Sequence, residues 1–267
     1  MLLSLVLGVL VGTVLGLTGA GGGILAVPAL VVGLGGTMQQ AAPVALIAVA
    51  GGASIGALEG FRRKLVRYRA AGLMALTGIP VTVLGIRVAH AVSQQLLLGL
   101  FAAVMLLVAF RLLAQALRGV PADAHAASTF GRIDTHTGRF VWTRLTTVLL
   151  AGIGALTGFM TGLRGVGGGF VIVPLLRRFT ELSMHGIVAT SLLVIAIVCM
   201  GGVLTAVLHG AVLPPELTLL FTAATAAGML AGRYASHRLS GAQVQVGFAV
   251  VLLVVAVGLM LKAALDL

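Results

Sequence analysis

Long apolar runs separated by short polar or glycine-rich interruptions make up most of this chain. Six of the runs have about the 20 residues that a helix needs to cross a bilayer. They predict helices over residues 40–60, 70–89, 95–117, 184–208, 215–233 and 241–261. Two other apolar stretches, residues 2–34 and 145–176, are each interrupted by a cluster of glycines. Because glycine weakens a helix and bares its backbone groups, both stretches are predicted to be broken.

The two glycine clusters belong to an internal repeat. Residues 16–28 read GLTGAGGGILAVP and residues 162–174 read GLRGVGGGFVIVP, an offset of 146 positions. The same offset pairs Met38 with Met184, Gly56 with Gly202 and Arg87 with Arg233. The sequence therefore predicts two homologous membrane repeats, residues 1–118 and 144–267, joined by a polar cytoplasmic linker over residues 119–143.

Composition narrows the class of protein. The chain is 60% hydrophobic and 9% charged, with a mean hydropathy of +1.18. Soluble domains carry about 25% charged residues, so this composition predicts a multi-pass membrane protein. A net charge of +11 would suggest a nucleic-acid partner in a soluble protein. Here most basic residues fall in short loops, where they act as topology signals, and the lipid bilayer is the predicted partner.

Each broken stretch has two possible arrangements. A continuous helix over residues 2–34 would be about 50 Å long at 1.5 Å per residue, which exceeds one ordinary crossing. The stretch is either a broken, tilted helix or a re-entrant hairpin whose two arms enter and leave on one side. Four crossings per half would give both halves the same orientation, whereas three crossings would invert the second half.

The loop charges favour the hairpins. With four crossings per half, 11 Lys and Arg residues fall on one side and 5 on the other. With three crossings the counts are 14 against 2, which agrees better with the enrichment of positive charge in cytoplasmic loops. The predicted fold is therefore all-α, with two inverted repeats, each a re-entrant segment plus three transmembrane helices. Both termini are predicted to lie outside the cytoplasm.

The glycine clusters are the predicted binding site. A dinucleotide fingerprint would need a preceding strand and an acidic residue, and a phosphate-binding loop would need Gly-Lys-Ser/Thr, which neither cluster has. Close helix packing through small residues is the structural alternative. The duplication favours function, because helix arms that begin at Gly23 and Gly169 would direct unpaired N–H groups and positive dipole ends toward an anion at the membrane centre. The predicted substrate-binding residues are Thr18, Gly19, Gly21, Gly22, Gly23, Arg164, Gly165, Gly167, Gly168, Gly169, Thr190 and Ser191.

Arg164 is the most specific residue of this set, because it stands where the first copy has Thr18. A charge at membrane depth costs roughly 3 kcal/mol or more unless it faces a partner or a polar cavity. A substrate anion is a natural counter-charge. The alternatives are a clamp on backbone carbonyls and snorkelling to the interface.

The hydroxyls of Thr190 and Ser191 replace Val44 and Ala45 of the first half. Such hydroxyls either line a site or bond back to their own i−4 carbonyls. Proton coupling stays open, since the chain has titratable groups near predicted helix ends, namely Glu59, Glu216, His185 and His209. Glu59 is interpreted as an interfacial ion pair with the neighbouring arginines, and none of the four is assigned a proton role.

The sequence offers no convergent nucleophile and base, so the protein is predicted not to be an enzyme, and it needs no cofactor. His125 and His136 lack the ligand spacing of a metal site. Cys199 is interpreted as a buried core residue.

The doubled motif, the segment Thr190-Ser191-Leu192 and the pair Gly232-Arg233 resemble the TauE/SafE family of sulfite-exporter-like permeases. The resemblance covers nearly the whole chain outside the linker. It implies a secondary transporter of the bacterial inner membrane for a small anion such as sulfite, a sulfonate or sulfoacetate. The alternative is an anion channel that uses the same broken-helix site. The assembly is expected to be a monomer or a homodimer.

Overall fold

The structure is a computed structural model that describes residues 2–19, 22–34, 38–117, 142–164, 168–211, 213–236 and 241–265. Its described residues form ten α-helices: α1 Leu2–Thr18, α2 Gly23–Leu34, α3 Met38–Arg62, α4 Tyr68–Ala91, α5 Gln94–Leu117, α6 Arg144–Arg164, α7 Gly169–Phe179, α8 Met184–Leu208, α9 Pro215–Ser236 and α10 Gly241–Leu265. The predicted spans correspond to α3, α4, α5, α8, α9 and α10. Residues 119–141 of the predicted linker lie outside the described residues.

The all-α membrane class is confirmed. Five of the helices in the described ranges are long and apolar enough to cross a membrane: Ala41–Arg62, Tyr68–Ala89, Arg144–Leu163, Met184–Leu208 and Gln243–Leu261. The third of these lies in α6, which the sequence analysis took for one arm of a re-entrant hairpin. α5 and α9 are absent from this set: α5 contributes only the shorter apolar helix Gly99–Ala114, and α9 includes Glu216 and Arg233.

Each broken stretch folds back on itself. Gly22 lies against the backbone of Leu15, and Gly33 lies beside the side chain of Leu7, so α1 and α2 run antiparallel. In the second copy Gly168 lies against Thr161, at the same sequence separation as Gly22 and Leu15. The hairpin is therefore the arrangement in the structure, rather than the tilted helix.

Each hairpin packs on the other half of the chain. α1 runs parallel to α9, with Gly8 against Phe221 and Gly16 against Arg233. In the same way α6 runs parallel to α4, where Gly158 lies directly on the carbonyl oxygen of Gly78. The glycines of both arms recur every four residues, which is the spacing that lets two helix backbones approach closely in a membrane. In α1 they are Gly8, Gly12 and Gly16, and in α6 they are Gly154, Gly158 and Gly162.

The third helices of the two halves, α3 and α8, run antiparallel. Gly56 lies against Leu192, and its equivalent Gly202 lies against Leu46. Two equivalent helices that cross in this way are related by a two-fold axis perpendicular to them, which is the relation that an inverted repeat requires. The inversion of the halves across the membrane itself stays a prediction.

These directions define two ends of the bundle. We name the end that carries residues 63–67, the connection between α3 and α4, the α3–α4 end. α8 begins there, because Ala189 lies against Gly60. α9 ends there, because Arg233 forms an ion pair with Glu59. The tip of the first hairpin therefore lies at the α3–α4 end, and α6, which runs parallel to α4, carries the second tip toward the opposite end.

One predicted correspondence between the halves is wrong. Gly16 packs on the backbone of Arg233, and its equivalent Gly162 packs on the backbone of Ile86. Arg233 therefore occupies the place of Ile86 rather than that of Arg87, because the offset between α4 and α9 is one residue longer than in the other helices. Arg233 thus has no charged counterpart in the first half.

Candidate functional site

Both hairpin tips turn on glycines in a left-handed conformation. Gly19 has φ +73° and Gly168 has φ +60°, values that other residues adopt only with strain. Gly168 is the N-cap of α7, and Gly22 directly precedes α2. A glycine cap has no side chain to accept hydrogen bonds from the first-turn amides. In each copy one first-turn amide, that of Leu25 or of Val171, donates instead to the carbonyl of the preceding glycine, Gly22 or Gly168, at 3.0 Å. The binding of an anion by the remaining amides stays a prediction.

The two tips do not lie together. Gly19 at the first tip lies against Val188, whereas Gly162, just before the second tip, lies against Thr82, whose side chain in turn contacts Gly202. Val188 and Gly202 are about 21 Å apart along α8 at a rise of about 1.5 Å per residue. The expectation that both breaks meet at the membrane centre is therefore wrong. The physical reason is length: α6 has 21 residues, enough to run most of the way through the bundle before it breaks.

The predicted hydroxyl residues differ in what they bind. Thr18 donates a hydrogen bond to the i−4 carbonyl of Val14 at 2.7 Å, the local bond that the sequence analysis considered only for Thr190 and Ser191. Thr190 instead accepts a hydrogen bond from the backbone N–H of Arg67 at 3.1 Å and so attaches α8 to the start of α4. Ser191 is 0% exposed, and its hydroxyl has no hydrogen-bond partner.

Unsatisfied buried groups are few. Within the described ranges, three buried side-chain atoms lack a hydrogen-bond partner: Arg67 Nε, Ser191 Oγ and Thr222 Oγ1. The first two belong to adjoining parts of the α3–α4 end, because Arg67 is bonded to the residue next to Ser191. Thr222 lies elsewhere, against Gly51 in the middle of α3. A buried polar atom without a partner costs about 1–3 kcal/mol, so this pair of atoms requires an explanation.

The second tip shows a different pattern. Gly168 is surrounded by Thr157 and Thr161. Both threonines donate to i−4 carbonyls, at 2.7 and 2.8 Å, so their hydroxyl hydrogens are already used. Arg164 ends α6, while its side chain lies outside the described residues, as do Gly21, Gly165 and Gly167. Their predicted roles stay predictions.

Glu59 is paired as the sequence analysis expected. Its carboxylate accepts from Arg63 at 2.8 Å and from Arg233 of the second half. The ion pair closes the α3–α4 end beside the first tip, since Gly16 packs on the backbone of Arg233. The ion pair with a neighbouring arginine is confirmed, its position at the membrane interface stays a prediction, and the sequence did not show the link to the second half.

Arg67 is the residue that the sequence analysis missed. In the count of loop charges it was only one of five basic residues around the α3–α4 connection, with Arg62, Arg63, Lys64 and Arg69. Nothing in the local pattern distinguishes it from these neighbours, because its partner Thr190 lies in the other half of the chain. Cys199 is buried, as predicted. The part of the chain that the structure describes contains no group of three or more His, Cys, Asp or Glu side chains placed to hold a metal ion.

Comparison with known proteins gives a consistent result. The family model "Sulfite exporter TauE/SafE" matches residues 4–259. A "Probable membrane transporter protein" of Xylella fastidiosa strain 9a5c is 32% identical over 191 residues, which cover 70% of this chain and 67% of that protein. A protein with the same description from strain Temecula1 is 31% identical over 189 residues, with the same coverage of both chains. No solved structure matches the chain. The chain is therefore a multi-pass membrane protein that belongs to the TauE/SafE sulfite exporter family.

Proposed function

We propose that this protein is a secondary transporter that moves a small sulfur-containing anion, such as sulfite, a sulfonate or sulfoacetate, across the bacterial inner membrane. The observation that carries the proposal is the pair of glycine-capped helices, α2 and α7, which begin at the tips of two hairpins that enter the bundle from opposite ends. Each would offer first-turn amides and a positive dipole end to an anion. The description of the family as a sulfite exporter supports the sulfur chemistry.

The same helix directions support an inverted repeat. If the helix directions are followed along the chain, the α3–α4 loop and the ends of α5, α7 and α9 would share one side with the linker. That side holds 14 of the basic residues, against 2 on the other. The α3–α4 end would then face the cytoplasm. The first hairpin would enter from the outside and the second from the cytoplasm.

Separated tips suggest how such a repeat would work. In an inverted repeat, exchanging the conformations of the two halves converts one open side into the other. Here each hairpin rests on the fourth helix of the other half, so a shift of one hairpin along its glycine-lined groove would be coupled to the opposite half. Each tip would control access at one end of the path, and the anion would pass between them.

Purified protein in proteoliposomes tests the proposal. Sulfite, sulfoacetate and chloride are offered on one side, with and without a proton gradient, and protein-free liposomes serve as the control. We expect saturable uptake of a sulfur anion and accumulation against its gradient. Saturating but strictly downhill flux at channel-like rates would favour the alternative, an anion channel. No uptake of any sulfur anion above the control would reject the proposed substrate class.

A further inference from the structure

We propose that the first hairpin tip holds an oxyanion-binding site formed by Arg67, Ser191 and the first-turn amides of α2. The inference rests on the proposed function, because the occupant would be the oxyanion group of the transported molecule. It goes beyond that function in assigning the binding to one tip and in naming a cation that lies outside the repeated glycine motif.

Ser191 supplies the first argument. Its side chain is fully buried and its hydroxyl is unpartnered, whereas the other buried serine or threonine hydroxyls described near the tips bond to backbone groups. Val188, which touches Gly19 of the tip, lies three residues before Ser191 on α8, so the two side chains are neighbours on the helix surface. Helical spacing places Ser191 between the face of α8 that meets the tip and the face where Thr190 binds Arg67. The hydroxyl is therefore directed to the region that the tip and the start of α4 share.

Arg67 supplies the charge. Its Nε is buried and has no hydrogen-bond partner, although its backbone N–H is held by Thr190. Of the acids at this end, Glu59 is already shared between Arg63 and Arg233, and Glu181, just before α8, is exposed. A guanidinium with a buried, unused donor is suited to a planar or bidentate contact with an oxyanion. An anion in this place would satisfy both Arg67 Nε and Ser191 Oγ.

The N-terminus of α2 completes the set of donors. α2 has 12 residues and begins at Gly23 without a capping side chain, because Gly22 precedes it. Gly19 brings this turn against Val188, on the same part of α8 as Ser191. We therefore assign three kinds of donor to this tip: a cation, a hydroxyl and backbone amides. This combination is complementary to an anion with several oxygens and offers no acceptor that would favour a cation.

The repeat makes the site one-sided. The position equivalent to Ser191 is Ala45, and an offset of 146 or 147 from Arg67 falls on Leu213 or Pro214. The second tip therefore has no equivalent of Arg67 or Ser191, and the two threonines described beside it are already bonded. The anion would bind at the α3–α4 end, which the proposed topology assigns to the cytoplasm. This position suits an exporter, which binds its substrate anion from the cytoplasm.

The test uses two variants and two matched controls in the full-length protein. Arg67→Ala is compared with Arg69→Ala, an exposed arginine two residues away. Ser191→Ala is compared with Thr222→Val, which removes the other unpartnered buried hydroxyl at a distance from the tip. Binding of sulfite, sulfate and phosphate is measured by calorimetry in detergent, and sulfite transport is measured in proteoliposomes. Arg67→Lys keeps the charge at this position. Thermal unfolding of each variant separates loss of binding from loss of fold.

We expect Arg67→Ala and Ser191→Ala to weaken sulfite binding by roughly tenfold to a hundredfold and by about tenfold respectively, while both controls bind like the wild type. Arg67→Lys should be intermediate, because it keeps the charge and loses the planar donor geometry. If the wild type binds sulfite and both Arg67→Ala and Ser191→Ala bind it equally well, the site is overturned while the proposed transport is unaffected. Failure of the wild type to transport sulfur anions, with sulfate or phosphate still bound through Arg67, would reject the function and keep the site. No binding of any of the three anions would overturn the site.

Discussion

The carboxylate of Glu59 in the first half of the chain forms an ion pair with the guanidinium of Arg233 in the second half. Arg63, one turn from Glu59, shares the same carboxylate at 2.8 Å. The side chains of Glu59 and Arg233 are 32% and 19% exposed, so the pair lies between the interior and the surface. It joins α3 to α9 at the end of the bundle where the first hairpin tip lies. Opening this end would require the pair to separate.

Glu59→Gln should therefore affect movement more than stability. Ion pairs with this exposure contribute about 1 kcal/mol or less to folding. We expect thermal unfolding in detergent to change little and the rate of sulfite transport to change measurably. Glu216→Gln, which alters an exposed acid at the start of α9, is the control. A large loss of stability with unchanged transport would show that the pair is structural only.

The glycine contacts between α4 and α6 give a sharper stability prediction. A Cβ at Gly158 would overlap the carbonyl of Gly78, whereas a Cβ at Gly152, in the same helix, would meet nothing within 4 Å. Gly158→Ala should destabilise the protein by about 1–3 kcal/mol through overpacking. Gly152→Ala should be neutral or stabilising by up to about 1 kcal/mol, because alanine is the better helix former. Thermal unfolding of the two variants checks this, and equal effects would contradict the parallel packing of α4 and α6.

The inverted topology can be tested without a structure. In a chain with Cys199→Ala, single cysteines at Lys64 and Val92 lie on the loops at the two ends of α4. A membrane-impermeant thiol reagent added to intact cells should label the cysteine at position 92 and spare that at position 64. A reporter enzyme that is active only outside the cytoplasm should be active when fused to Leu267. Labelling at position 64, or an inactive fusion, would contradict this orientation.

Arg164 tests the contribution of the second tip. It ends α6 immediately before the second glycine cluster, so its charge lies at a helix break. We expect Arg164→Ala to lower sulfite transport while the protein still folds and inserts, because the anion must pass this tip as well. The control is Arg178→Ala, whose exposed guanidinium lies 5.8 Å from the centroid of the Phe179 ring. Unchanged transport in Arg164→Ala would remove this residue from the path.

Much of the fold follows from local patterns. The lengths of the apolar runs predicted the helices, and the doubled glycine clusters predicted the breaks, because helix formation and helix interruption depend mainly on nearby residues. The position of the tips was not predictable in this way. A break in an apolar run shows where a helix ends along the chain. How far the hairpin tip reaches into the bundle depends on the helix that packs beside it.

The sequence by itself determined an all-α, duplicated membrane protein with two broken helices and an asymmetric charge distribution. Only the tertiary structure decided which helices meet: α1 lies on α9, α6 lies on α4, and α3 crosses its own equivalent. Those pairings connect residues that are far apart in the chain, such as Arg67 with Thr190 and Glu59 with Arg233. Periodicity and motif spacing describe neighbours along one helix, so they carry no information on contacts between helices. The site that we propose therefore lies at the α3–α4 end, with Arg67 and Ser191, rather than at the point between the two glycine clusters.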